Sequence, residues 1–318
     1  MNKIKNSCFE EFIKNISITS DEDERLKSSH SNIRTKISKS DLNVHMVKTI
    51  LGGSYKKNTM VRTIESDTKK VDVDILVIFN YNRSDVKPHK LISKVRDTIE
   101  EMPEYRGKTT IQKRSIGVEL SKTHIDIIPV LEVNNNSDQP LLISTPDKQN
   151  WDETNPIKSI EYFNAQALNK KNLRMIVKTF KWWKKINKPE SQRYPISYGI
   201  EILCSNYYKQ DENLFESMLK TLESINDYTQ MNEIKPHLED PCKNGNDLFR
   251  KMSQNDYESF RNKFNKHVKT LRKAIIENKT DEVRMIFGDK FPKCTIIDDS
   301  TQEKLMESTT HLRTYAKE

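Results

Sequence analysis

Val71-Asp72-Val73-Asp74-Ile75-Leu76-Val77-Ile78-Phe79-Asn80 alternates at its start and ends in an unbroken apolar run. That pattern reads as the central strand of a sheet covered on both faces. Asp72 and Asp74 lie two positions apart, so on a strand they point to the same face. Two carboxylates so close repel each other unless a cation sits between them. A hard divalent ion such as Mg²⁺ takes such oxygen ligands, completed by water and phosphate. Taken alone, the pair also suits an exposed acidic strand edge.

Upstream, residues 45–52 (HMVKTILG) read as a strand running into Gly52-Gly53-Ser54-Tyr55-Lys56-Lys57-Asn58-Thr59. Glycine is scarce here: 7 in 318 residues, where average usage of roughly 7% would place about 22. An adjacent pair in such a chain marks backbone geometry that other residues resist. A strand that ends in Gly-Ser and turns into a helix offers free backbone N–H groups and a hydroxyl to an anion. The helix dipole, Lys56 and Lys57 favour phosphate there. Alone, the same residues describe a tight turn with a serine cap.

Downstream, residues 109–120 and 122–133 are β-rich and almost contiguous, which predicts a hairpin. Asp126 sits in the second of them, THIDIIPVLEV, with His124 on its face. Without further context Asp126 suits the solvated face of an amphipathic strand, and His124 reads as structural. Asn134–Gln139 is a polar loop.

Helices are expected over 3–16, with Ile4, Cys8, Phe12 and Ile13 near one face, and over 20–38, behind an acidic first turn. Another spans 88–101, with Pro88 near its start. From about 155 the pattern is helical, opening at Asn155-Pro156 and continuing over 169–186, 196–209, 211–226 and 255–279. The tail after about 300 is polar. The fold class is therefore α+β, with a mixed twisted sheet lobe over 1–150 and a helical lobe over 151–318. The lobes are expected to pack together across a cleft.

Hydrophobic residues make up 34% and charged residues 31%, a polar composition whose periodic apolar segments nonetheless exclude global disorder. No apolar run approaches the roughly 20 residues of a membrane helix, and no signal peptide is read at the start. The cysteines at 8, 204, 242 and 294 have no metal-ligand spacing and give no support to a disulfide framework, so a cytoplasmic location is expected. The net charge of +8 allows a polyanionic ligand without demanding one.

Strand-Gly-Ser turn, D-x-D strand and distant strand with one Asp, in that order, resemble the catalytic signature of the DNA-polymerase-β-like nucleotidyltransferase superfamily. One departure is the interval of eighteen positions from Ser54 to Asp72. It makes TMVRTIESDTKK a loop bordering the site.

Within the helical lobe, Arg174, Lys178, Lys181 and Lys185 share a narrow sector of one helix, ordinarily a solvated basic face. Phe180-Lys181-Trp182-Trp183 is followed by Ile196-Ser197-Tyr198-Gly199-Ile200-Glu201. That pairing is similar to the bacterial cyclic-oligonucleotide synthases (CD-NTases), kin of 2′-5′-oligoadenylate synthetase and of animal cyclic GMP-AMP synthase. Asp240-Pro241 with Asn244 and Asn246, and Ile286–Pro292, extend the likeness over roughly 5–295. The zinc insertion of the animal enzymes is missing.

The resemblance implies catalytic, metal-holding roles for Asp72, Asp74 and Asp126 and two Mg²⁺ ions, with Mn²⁺ able to substitute. It implies phosphate contacts from Gly53, Ser54, Lys181 and Ser197, and base stacking by Tyr198. The substrates would be ATP and other NTPs, with pyrophosphate released. The product would be a cyclic di- or trinucleotide second messenger for a downstream effector in anti-phage signalling, with room for a regulatory protein partner and no need of nucleic acid. The alternative is a template-independent nucleotidyltransferase acting on RNA ends or another acceptor.

Overall fold

The computed structural model describes residues 6–64, 70–133, 139–243, 245–277 and 279–294. Ile4, the second half of the 59–70 insert, most of the 134–139 loop, Asn244 and the polar tail lie outside them.

The sheet is built on β1 (Met46–Leu51), β2 (Val71–Phe79), β3 (Thr109–Ile111), β4 (Ile116–Glu119) and β5 (Thr123–Leu131), in the order β1-β2-β5-β4-β3. β2 and β5 run parallel at its centre, and β1–β2, β3–β4 and β4–β5 are antiparallel. The expected first strand, 109–120, is thus two short strands joined by a turn. Two more strands, β6 (Leu141–Ser144) and β7 (Trp151–Thr154), extend the sheet from the end of β5. The sequence reading missed both. They are four residues each, too short to establish a period, and only their pairing defines them.

Odd positions of β2 and β5 (Val73, Ile75, Val77, Ile125, Ile127) face one core. It is covered by α2 (Ser20–Ser38), through Leu26, Ile33 and Ile37, and by α4 (Pro88–Glu101), through Leu91, Ile92, Val95 and Ile99. Thr19 and Glu22 cap α2 reciprocally, each satisfying a backbone N–H that the first turn leaves free. Even positions form the opposite face. Leu76, Ile78 and Val130 there are buried with Leu141, while Asp72, Asp74 and Asp126 sit toward the strand starts.

The second core is helical: α5 (Pro156–Asn169), α6 (Leu173–Asn187), α7 (Ser197–Asn206), α8 (Leu214–Met231), α9 (Gln254–Ile276) and α10 (Thr280–Phe287). α1 (Asn6–Ile16) belongs to this core rather than to the sheet, packing on α6 and α8. Its Phe12 is fully buried, with ring centroids 5.0 Å from Phe287 and 5.3 Å from Phe291. An amphipathic helix can bury its stripe on either lobe, and the pattern alone does not choose. Cys8 and Cys294 are joined as a disulfide with Cα atoms 6.0 Å apart. This corrects the sequence reading, because residues 286 positions apart show no spacing to recognise. Among the described residues no helix is long and apolar enough to cross a membrane.

α1 is therefore a clasp between the chain's start and its last described turn. Phe12→Ala is expected to destabilise the protein by about 3–5 kcal/mol, read as a lowered denaturation midpoint. An unchanged midpoint would show that α1 is not part of the core.

Candidate active site

The central feature is the register of β2 on β5. Asp72 pairs with His124 and Asp74 with Asp126. Neighbours across a parallel pair point to the same face, so three carboxylates and one imidazole form a two-by-two block. Burial, followed by the nearby charges of Asp126 and Asp72, pushes the Asp74 carboxyl up to about 6. Burial also raises the Asp72 carboxyl, with His124 acting against it. The His124 ring contacts Asp126 Oδ1 at 3.3 Å through Nε2 and Glu119 Oε1 at 2.5 Å through Nδ1. Its pKa rises to about 9, first through the hydrogen bond to Asp126.

The Gly-Ser turn is held against this block by the backbone. Gly52 N–H donates to the Asp74 carbonyl at 2.9 Å. Gly53 has φ +58°, and a Cβ there would overlap the Asp74 carboxylate. Gly53 is therefore required twice, by left-handed backbone and by close approach. The turn leads into one helical turn only, α3 (Gly53–Lys56). Its free N–H groups, rather than a long helix dipole, are what it offers an anion. Of the two following lysines, Lys57 lines the same cavity as Gly53 and Asp74, although Glu201 pairs with it, while the expectation for Lys56 is corrected. Lys56 borders a separate cavity beside Asp23 and Tyr55. Lys57 is buried, donates to Glu201 Oε2 at 2.8 Å, and lies 4.4 Å from the Tyr198 ring centre.

The remaining candidates are divided between two cavities bordering the turn. One, of about 370 Å³, is lined by Gly53, Asp74 and Tyr198. The other, of about 350 Å³, is lined by Ser54, Asp72, Lys181 and Ser197, and by Thr59–Val61, Thr63 and Lys70 of the insert. The described part of the insert is thus an irregular segment bordering the site, as its length predicted. Tyr198 is steadied by its hydroxyl, which donates to Asp240 Oδ1 at 2.9 Å. Asp240 also accepts from Cys242 N–H and the Asn246 side chain, which explains the polar cluster noticed at 240–246.

The basic stripe of α6 is not a solvated face. Arg174 donates to the Lys57 carbonyl, Lys178 to Ser17 and Lys185 to the Arg62 carbonyl, so it binds the helical lobe to the N-terminal half. Lys181 is 5% exposed; its ammonium donates to Thr59 Oγ1 at 2.8 Å and Glu201 Oε1 at 2.6 Å. Glu201 was not singled out from the sequence. The available signal was a lone carboxylate inside the apolar run Ile200-Glu201-Ile202-Leu203, which has to find partners when the helix is buried.

The donor set fits a hard divalent ion. Three carboxylates share one face of β2 and β5 beside the glycine turn, Asp74 and Asp72 each bordering one of the two cavities, and burial first, then the neighbouring carboxylates, raises two of the three. Among the described residues no three His, Cys, Asp or Glu side chains are already closed around a single point.

Two expectations follow. Gly53→Ala is expected to leave the fold cooperative and reduce activity by roughly a hundred-fold or more, because the turn and Asp74 can no longer approach. Retention of wild-type turnover would contradict this. The Asp74 carboxyl titrates near 6 in the folded chain, against 3.8 unperturbed. The folded state then holds the extra proton between these values, so stability is lost as pH rises through that window. Thermal melts in chelator should show wild type losing more stability than Asp74→Asn between about pH 4.5 and about pH 7; equal losses would rule out the raised carboxyl.

Comparison with known proteins places this geometry. Residues 3–167 match the family described as Second Messenger Oligonucleotide or Dinucleotide Synthetase domain. A cyclic AMP-AMP-AMP synthase from an Acinetobacter species is 31% identical over 284 residues, covering 84% of this chain and 79% of that one. The fold matches the Bradyrhizobium diazoefficiens CD-NTase CdnG, solved with GTP, at a TM-score of 0.74 and 15% identity, covering 90% of this chain and 95% of that chain. It also matches E. coli MS115-1 CdnC, solved with a HORMA protein, at a TM-score of 0.73 and 16% identity, covering 91% and 99%. The chain belongs to the second messenger oligonucleotide or dinucleotide synthetase family: it is a bacterial CD-NTase, a nucleotidyltransferase of polymerase-β-like fold that uses NTPs and a divalent metal ion.

Proposed function

We propose that the enzyme joins ATP units, releases pyrophosphate, and closes the chain into a cyclic trinucleotide containing AMP. The alignment of Asp72, Asp74 and Asp126 on one face of β2 and β5 carries the reading. The product assignment is supported by the cyclic AMP-AMP-AMP synthase at 31% identity.

In this reading the three aspartates hold two Mg²⁺ ions, with Mn²⁺ serving as well. When bound, the ions supply charge stabilisation to the attacking and leaving oxygens of an in-line displacement. The chain's own work is positioning. Gly53 N–H and the Ser54 hydroxyl hold the β- and γ-phosphates, with Lys181 and Ser197 lining the cavity beside Ser54. Tyr198 stacks on a base, its hydroxyl donating to Asp240 and the Lys57 ammonium lying over its ring. Asp126 faces the acceptor hydroxyl, where it also serves to take up the released proton. His124 contacts Asp126 and is itself held by Glu119.

The same reading gives the product the role of a second messenger in anti-phage defence, read by a downstream effector. A regulatory protein partner has a parallel in the HORMA complex of the E. coli relative. The proposed setting is the cytoplasm, where the NTPs are.

Asp72→Asn, Asp74→Asn and Asp126→Asn are each expected to reduce metal-dependent pyrophosphate release from ATP by roughly a thousand-fold or more. Circular dichroism should show the fold retained. Mass spectrometry of the wild-type reaction should find a phosphatase-resistant cyclic trinucleotide from NTPs alone. A requirement for added RNA, or full turnover in any of the three variants, would overturn the proposal.

A further inference from the structure

The cavity of about 350 Å³ beside Ser54 is crowded with lysine. Lys70, Lys181, Lys184, Lys185 and Lys188 line it, against one carboxylate, Asp72. Most of this charge is already matched. Lys70 pairs with Glu119 at 2.7 Å and Lys181 with Glu201 at 2.6 Å. Lys185 acts electrostatically on Asp72, holding its carboxyl down against burial.

Lys184 and Lys188 differ. Among the described residues their ammonium groups meet backbone carbonyls only. Lys184 donates to Pro195 O at 2.9 Å, and Lys188 to Pro189 O and Gln192 O at 2.9 and 3.1 Å. A carbonyl satisfies a hydrogen bond but does not neutralise a charge. Lys184 lies one turn beyond Lys181 on α6, Lys188 is the residue that caps the end of that helix, and Pro195 stands two residues before Ser197, which opens α7. Lys184 is thus held where the end of α6 meets the start of α7, inside a cavity with surplus positive charge.

We infer that Lys184, supported by Lys188, is a further cation for the β- and γ-phosphates of the donor nucleotide, adding to Lys181, whose charge Glu201 already offsets. A terminal diphosphate brings close to the negative charge that the two unmatched lysines lack. Burial and the neighbouring charges of Lys181 and Lys188 push the Lys184 ammonium down to about 8. An arriving polyanion relieves that crowding. The inference rests on the reading of this cavity as the triphosphate pocket.

The test compares two ligands by calorimetry in Mg²⁺: AMP, and an ATP analogue that cannot be cleaved between its α- and β-phosphates. Wild type is expected to prefer the analogue. Lys184→Gln should lose roughly ten- to a hundred-fold of affinity for the analogue, as for a charge-assisted hydrogen bond, and less than about two-fold for AMP. Lys188→Gln should act in the same direction, and Lys184→Arg should restore most of the preference. Lys178→Gln, outside this cavity, controls for general charge and should change neither affinity. Melting temperatures separate these effects from unfolding, and Lys188→Gln carries the test if Lys184→Gln does not fold.

A wild-type preference that survives in the folded glutamine variants overturns the inference. A loss no larger than that of Lys178→Gln does the same. A wild type with no preference for the analogue instead overturns the reading of the cavity on which it rests.

Discussion

Repulsion between carboxylates organises this molecule. Two parallel strands, bonded in register, bring Asp72, Asp74 and Asp126 onto one small area of a sheet whose other face is packed with Val, Ile and Leu. Such an arrangement opposes folding unless something offsets it, and the structure offsets it only in part. His124 leans on Asp126 and Lys185 acts on Asp72, while Asp74 keeps a raised carboxyl. Stability is surrendered locally, and the cluster is left with a demand for positive charge beside the glycine turn.

The second constraint is a buried ionic cluster between the lobes. Lys57 follows the glycine turn, Lys181 belongs to α6 and Glu201 to α7, and the three groups with Thr59 are within hydrogen-bonding distance. Burying such charges is costly, and they hold geometry rather than add stability when every partner is present. Here the geometry concerns the turn. Glu201 fixes its far end, and the Lys57 ammonium lies over Tyr198. The glycine turn and the Tyr198 ring are thereby tied to one carboxylate. The α6 stripe completes the connection, since its cations reach backbone carbonyls and a serine of the N-terminal half rather than water.

Much of the candidate site was legible because its chemistry is local. A D-x-D pair needs only strand periodicity to place both carboxylates on one face, and a Gly-Gly-Ser turn in a glycine-poor chain stands out without coordinates. The helices from Ser20 to Ser38 and from Pro88 to Glu101 were also readable, the first from its capping box and the second from its opening proline, with stripes long enough to establish a period. β6 and β7 were not, being four residues each with identity only in their pairing. The roles of Lys57, Lys181 and Glu201 were hidden for another reason. A lysine on a helix reads as solvated until its partner is known, and these partners lie 20 and 144 positions away.

The sequence by itself determined the elements and the chemical types: which strands carry carboxylates, where the backbone needs glycine, and which family the pattern resembles. Tertiary structure alone decided the pairings. It set the β2–β5 register that makes three aspartates neighbours, placed α1 on the helical core, joined Cys8 to Cys294, and matched some lysines with acids while leaving Lys184 and Lys188 among carbonyls. The physical reason is range. Periodicity and capping act over a few residues, whereas charge balance and packing depend on groups that only folding brings together.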